Sequence, residues 1–310
     1  MALDTYPDIW NRVLLRVPSA SSLLAQDWVG NAFRQVAERR PWSWRIKRQQ
    51  FLFPAVYKTG TVTVVFNSTT VTGSGTTFTS GMVGRQFRVG LQVPIYTIIA
   101  VPDATTLTLD QAWGGDDASG IGFEIYSAYQ TVPSDFSYFL TVWDPRFNWQ
   151  LHRNTTQEEL NWYDAQRANQ ASSSYCVVSC DYDQTTTPPR PRYELWPHMK
   201  AQYCYPYLYI ARPADLADSG AHLPFYLSGD VLLEMALAEA ARWPGPSRDK
   251  PSQYYSLALA MMHERRAERR IVEMERNDDE TFEADVKYAM NLPFSPWPFD
   301  ASWMQSHALG

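Results

Sequence analysis

Cysteine is scarce in this chain. Cys176, Cys180 and Cys204 are the only three in 310 residues. Three thiols cannot build a disulfide framework, so a reducing compartment is expected. Long apolar runs are missing as well. No stretch approaches about 18 consecutive apolar residues, the length a membrane-spanning helix requires. The opening residues Met1-Ala2-Leu3-Asp4-Thr5-Tyr6-Pro7 have neither a basic nor an apolar leader region, and no signal peptide is expected. An excess of positive charge is also lacking. The chain has 27 Lys and Arg against 33 Asp and Glu, a net charge of −6. A protein that coats DNA would carry clustered Lys and Arg instead.

Signatures of catalysis are absent too. Gly73-Ser74-Gly75-Thr76 lacks the Gly-Lys-Ser/Thr ending of a phosphate loop. There is no G-x-S-x-G elbow and no HExxH pair. Cys176 and Cys180 are followed by no second pair at zinc spacing, and the five histidines (152, 198, 222, 263 and 307) are dispersed. No cofactor and no metal are expected. Asn67-Ser68-Thr69 and Asn154-Thr155-Thr156 fit the glycosylation sequon, which has no meaning without secretion.

What is present is aromatic. Rings make up 14% of residues, with 12 Trp and 18 Tyr, and Pro outnumbers Gly by 21 to 15. Amphipathic rings and proline-stiffened segments supply contact area at low entropy cost, as interfaces require, although a Trp-rich core gives the same composition.

The spacing of Ile9, Trp10, Val13, Leu14 and Val17 predicts a helix ended by Pro18. Leu24, Trp28, Ala32 and Val36 predict a second, with Ser19, Ser21 and Ser22 as candidate caps and Pro41 as its stop. Residues 1–60 are basic, nine Lys/Arg against four Asp/Glu. Composition changes near residue 56. Residues 56–128 are rich in Thr, Val, Gly and Ile, with strand-like runs at 61–66, 86–89, 96–101, 106–109 and 122–126. This segment is acidic through Asp103, Asp110, Asp116, Asp117 and Glu124.

Residues 157–169 have helical character and residues 175–182 read as a strand. Residues 192–197 and 202–211 read as an antiparallel pair, with Tyr203, Tyr205, Tyr207 and Tyr209 on one face. Ser228 is a candidate cap for a helix over about 230–242, and Ser252 for a long helix reaching about Arg276. The second half of that helix alternates Glu and Arg. A solvated face explains this, and so does helix-to-helix contact between ring neighbours through Arg265, Glu268, Arg269 and Glu273. Pro293, Pro296 and Pro298 exclude a helix near the C-terminus, and Phe294, Trp297, Phe299 and Trp303 there need a surface to cover them.

Several of these features occur in a recognisable order. A helical pair ends in Arg39-Arg40-Pro41-Trp42-Ser43-Trp44. Tyr193-Glu194-Leu195-Trp196-Pro197 is followed by Tyr205-Pro206-Tyr207-Leu208-Tyr209-Ile210-Ala211-Arg212-Pro213-Ala214-Asp215-Leu216, then Leu223-Pro224 and a helix near Asp230. The order resembles the head-to-tail adaptor (connector) proteins of tailed, short-tailed bacteriophages. His198-Met199-Lys200 departs from the usual second proline region of that pattern. The segment from Val71 through Thr105–Leu109 is similar to a small β module of phage structural proteins.

The resemblance implies an α+β fold: a helical-bundle adaptor core over 1–55 and 129–285, with a β-hairpin near 192–211. It adds an inserted small antiparallel β-barrel or sandwich over 56–128, and an extended aromatic, Pro-rich docking tail over 286–310. It further implies a homo-oligomeric, dodecameric ring in the virion, made in the host bacterial cytoplasm and seated under the portal protein. Such a ring extends the DNA channel and gives a platform for tail nozzle, tube or fibre proteins. Genomic double-stranded DNA would pass without specific binding, and no membrane is involved. A charge of −6 per copy sums to about −72 over twelve copies, which repels phosphate. Phe294, Trp297, Phe299 and Trp303 become the portal-docking residues. Alternatives in other classes are a virion-associated hydrolase with a glycan-binding β module and a neck or tail-tube protein.

Overall fold

A computed structural model of the chain describes residues 3, 5–90, 95–153, 155–171, 174–183, 186–213, 216, 222–224, 227–247 and 251–282. The first elements are α1 (Tyr6–Arg16), α2 (Ser22–Arg39), β1 (Ile46–Phe53), β2 (Thr61–Val64) and β3 (Thr70–Ser74). Next come β4 (Gln86–Arg88), β5 (Tyr96–Asp103), β6 (Thr106–Leu109), β7 (Ala118–Ile121) and β8 (Glu124–Tyr126). Then follow β9 (Tyr129–Thr131), β10 (Phe136–Asp144), β11 (Trp149–Gln150), α3 (Gln157–Asp164) and β12 (Gln170–Ala171). The last are β13 (Cys176–Asp183), β14 (Arg190–Trp196), β15 (His198–Met199), β16 (Tyr203–Ala211), α4 (Gly229–Arg242) and α5 (Leu257–Phe282). They fall into two compact units, Met1–Lys47 with Ile210–Gly310, and Arg48–Tyr209.

The expected helical-bundle core with a small β insertion is overturned. Among the described residues β-sheet dominates: a seven-stranded, a four-stranded, a three-stranded and a two-stranded sheet, with five α-helices. The strands of the second half account for the difference. β10 is buried at Phe136 and again at four successive residues, Phe139–Val142, so the alternation that marks a half-exposed strand is missing from its sequence. The strands expected to pair near 192–211 both form but lie in different sheets. β14 sits between β13 and β9, whereas β16 sits between β1 and β10.

The first unit is helical because its caps and apolar stripes agree. Thr5 accepts from the Asp8 N–H, Pro7 occupies the first turn of α1, and Ser21 accepts from Leu24 N–H at the start of α2. Ile9 and Val13 of α1, Val29 and Phe33 of α2, Val231 and Leu237 of α4 and Ile271 of α5 meet in one core. Trp42 follows α2 with no exposed surface and donates through Nε1 to Val36 O at 2.6 Å, which closes the end of that helix back onto the core. α5 begins later than the serine pattern suggests. Ser256 Oγ receives Leu259 N–H as its cap, while Ser252 Oγ receives Tyr254 N–H in the preceding turn.

In the second unit the seven-stranded sheet runs β7-β2-β3-β6-β5-β4-β8, antiparallel at every pairing. It curls around Val62, Val71, Phe78, Phe87, Ile98, Leu107 and Ile125. The threonines that alternate with these residues along β2 and β6 point outward or are only partly covered. The tyrosines of β16 do share a face, and the face is inward: Tyr205, Tyr207 and Tyr209 are buried against Phe51, Phe53 and Phe136.

Replacing Trp42 with Ala removes both a core ring and a buried hydrogen bond. It is expected to cost the helical unit about 3–5 kcal/mol, read as a lower urea midpoint of the helical circular-dichroism signal, with Trp42→Phe intermediate. An unchanged midpoint for Trp42→Ala contradicts the packing described.

Candidate interaction surfaces

α5 is fastened along its length. Arg39, at the end of α2, makes a two-pronged contact with Glu268, Nη1 to Oε2 at 2.8 Å and Nη2 to Oε1 at 2.7 Å. Its Nε reaches Glu275 at 2.8 Å. The paired carboxylates raise the Arg39 pKa further above its ordinary value, and the bond from Arg39 lowers that of Glu268. Arg40 bonds Asp279 at 2.5 Å and lies 3.5 Å from Asp278. Asp278 has no exposed surface and accepts from Ser43 through both its backbone N–H and its hydroxyl. Nearer the start of α5, buried His263 joins Glu234 of α4 at 2.6 Å and Tyr254 at 2.8 Å.

The second unit has a buried ionic hub. Glu194 of β14, 1% exposed, receives Arg167 Nε at 2.6 Å, Gln157 Nε2 at 3.0 Å and a contact from His198 Nε2 at 3.1 Å. Arg167 holds a left-handed φ of +51° and also bonds Asn161 at 2.7 Å. Burial pushes the Glu194 carboxyl up, but the bonds from His198, Arg167 and Gln157 outweigh it and the net direction is down. Asp164 follows the same logic, with burial opposed by Trp196 Nε1–H and by the N–H groups of Asn169 and Ala168. Beside the hub, Arg88 bonds Glu124 at 2.7 Å and Arg167 O at 2.9 Å.

These groups are tied to one another, and their chemistry is that of a support. Burial, with Glu194 and Asp181 adding to it, pushes the Cys180 thiol up to about 12, so it carries no thiolate at neutral pH. Among the described residues no group of three or more His, Cys, Asp and Glu side chains could hold a metal ion. No helix among them is long and apolar enough to cross a membrane.

The surface carries large unpartnered rings. Trp162 and Tyr163 on α3 are 83% and 70% exposed and touch edge to face at 5.3 Å. The helix beneath them is held by a full capping box, Thr156 with Glu159, and by buried Leu160. Phe66 after β2, Leu15 on α1 and Met261 on α5 are also more than half exposed.

The four helix residues singled out from the sequence all lie on the exposed side of α5. Glu268 is engaged by Arg39 of its own chain, whereas Arg265, Arg269 and Glu273 have no ion-pair partner among the described residues. Phe294, Trp297, Phe299 and Trp303 lie outside the described residues. Sequence reasoning missed the Arg39–Arg40 contacts to α5. The seven-residue interval between Glu268 and Glu275 hinted at one helix face, but nothing local identified α2 as its partner. No protein-family model matches the chain, and no curated protein matches it.

The hub sets a pH dependence. The Glu194 carboxyl titrates lower when folded than when unfolded, so its stabilisation is complete above the unfolded value of about 4.3 and is lost as pH falls below it. Glu194→Gln leaves Arg167 buried without its counter-charge and is expected to cost about 3–5 kcal/mol at pH 7. The same substitution flattens the acid limb between about pH 5 and pH 3. Urea melts across pH check both; a variant as stable as the parent at pH 7 contradicts the assignment.

Proposed function

We propose that this chain is a non-catalytic structural subunit of a tailed-phage virion, a head-to-tail adaptor that assembles as a dodecameric ring under the portal. The ring extends the DNA channel and offers a platform to nozzle, tube or fibre proteins. The order of motifs from Arg39-Arg40-Pro41-Trp42 through Tyr193–Pro197 and Tyr205–Leu216 supports this assignment. The observation that carries it is the placement of the exposed rings. Trp162 and Tyr163 stand in solvent on a capped, anchored helix, where a folded monomer gains nothing from them and an assembly gains contact area without an ordering cost. Net negative charge suits a channel along which phosphate slides.

The decisive experiment is electron microscopy of the purified protein alone and mixed with its portal, with particle mass measured in parallel. Rings seated on the narrow end of the portal are expected. A truncation lacking residues 291–310 should still fold and form rings but lose the portal, because Phe294, Trp297, Phe299 and Trp303 dock there. Normal portal binding by the truncated protein rejects the docking role of those four residues. A monomer indifferent to the portal rejects the adaptor reading.

A further inference from the structure

Two surface features carry opposite charge beside exposed or recessed apolar groups. The first is a hollow in the helical unit, a cavity of about 740 Å³ among α1, α4 and α5. Leu223, Leu227 and Leu233 lie at its base among polar groups that include His222 and Ser228, and Arg12, Arg16 and Arg270 bring positive charge to it. Arg270 is balanced by Asp230 at 2.9 Å, and the carboxylate of Glu234 is turned to His263. Arg12 and Arg16, one helical turn apart on α1, have no carboxylate partner among the described residues.

The second is a knob at one end of the seven-stranded sheet. Val65 and Phe66, in the turn after β2, are 49% and 65% exposed. Exposed Asp116 and Asp117 flank them, and no cation pairs with either carboxylate among the described residues. The knob is rigid. Phe66 N–H donates to Asp117 Oδ1 at 2.6 Å, and buried Trp113 binds the two loops together. Trp113 O receives Asn67 N–H at 2.8 Å, and Trp113 Nε1 donates to Asp116 O at 3.0 Å.

We infer that the Phe66 knob of one copy seats in the Arg12–Arg16 hollow of the next. An exposed ring rimmed by carboxylates meets a hollow with leucines at its base and guanidiniums at its rim, so the contact has both a buried anchor and charge complementarity. The two patches differ, so the interface is heterologous. Such contacts generate a ring when their rotation closes. The inference rests on the ring reading above and supplies the contact between its neighbours.

The test is a charge exchange on the full chain, read by sedimentation velocity in low salt. Phe66→Arg with Asp116→Arg makes the knob basic and leaves the hydrogen bond of Asp117 in place. Arg12→Glu with Arg16→Glu makes the hollow acidic at the two exposed positions of α1 that line it. Each variant alone sets mostly like charges against its unchanged counterpart and is expected to associate at least about tenfold more weakly than the parent. Mixed in equal amounts, the basic knob fits the acidic hollow and the acidic knob fits the basic one, so assembly returns. The milder Phe66→Ser and Arg12→Gln variants should weaken association in the same direction, and circular dichroism checks that each protein is folded. A parent that assembles while all variants assemble equally well overturns this interface and leaves the ring reading standing. Folded single-side variants whose mixture stays apart also overturn it. A parent that remains a monomer overturns both.

Discussion

A carboxylate buried in the second unit organises much of what surrounds it. Glu194 cannot leave water as a bare anion, because the desolvation of one charge costs several kcal/mol. It is tolerated because Arg167, Gln157 and His198 converge on it. Those partners come from the first residue of α3, from the turn that follows α3 and from β15, so satisfying one charge fixes α3 and β15 relative to β14. Arg167 in turn carries the hub to Arg88 and Glu124 of the curled sheet. Glu194 and Trp196 belong to the Tyr193–Pro197 segment on which the likeness to adaptor proteins partly rests. In this structure their roles are to hold the fold: Glu194 anchors the ion cluster and Trp196 donates to Asp164 at 2.9 Å.

The helical unit is held differently. Its main attraction is the apolar seam in which α1, α2 and α5 pack around α4, whose residues from Val231 to Ala241 are buried almost throughout. Each fully buried aliphatic side chain contributes about 1.5–3 kcal/mol. The Arg39 contacts to Glu268 and Glu275 are half-exposed, and pairs of that kind contribute about 0–1 kcal/mol. Their effect is on register. A two-pronged guanidinium fixes which turn of α5 lies beside the end of α2, and buried Asp278 on Ser43 repeats that choice one turn further along.

Legibility in the sequence followed how local the cause was. α1 and α2 are readable because a cap, a stripe of period 3.6 and a proline stop coincide within twenty residues; α4 is readable from its stripe and proline stop, while Ser228 stands at its N-cap position without a side-chain cap bond. The Thr and Val runs of 56–128 are readable for a similar reason, since β2 and β6 alternate covered and partly covered residues and pair with near neighbours in the sequence. β13, β14 and β16 are legible as strands, but the expected architecture assigns them with β9 to β12 and β15 to a helical core with a hairpin, which the sheets overturn. Their burial is two-sided and irregular, and their pairings reach across the sequence, as β9 with β14 and β1 with β16. The surface residues were half legible. The charged stripe at Arg265–Glu273 was plain from its alternation, but the intramolecular capture of Glu268 depended on an arginine more than two hundred residues away.

In the assembly proposed above, charge and apolar area would have separate tasks. At physiological salt the screening length is about 8 Å, so exposed Arg12 and Asp116 attract over little more than contact distance. Such charges choose which patches meet and in what orientation, and they contribute little once the patches are joined. Lasting affinity comes from covering rings such as Phe66, Trp162 and Tyr163, which are presented already ordered. A chain with net charge −6 repels its own copies at long range, and only opposed local patches overcome that at short range. Self-association under these rules is directional. In the proposed ring, one repeated contact whose rotation closes would replace indiscriminate aggregation through the same exposed rings.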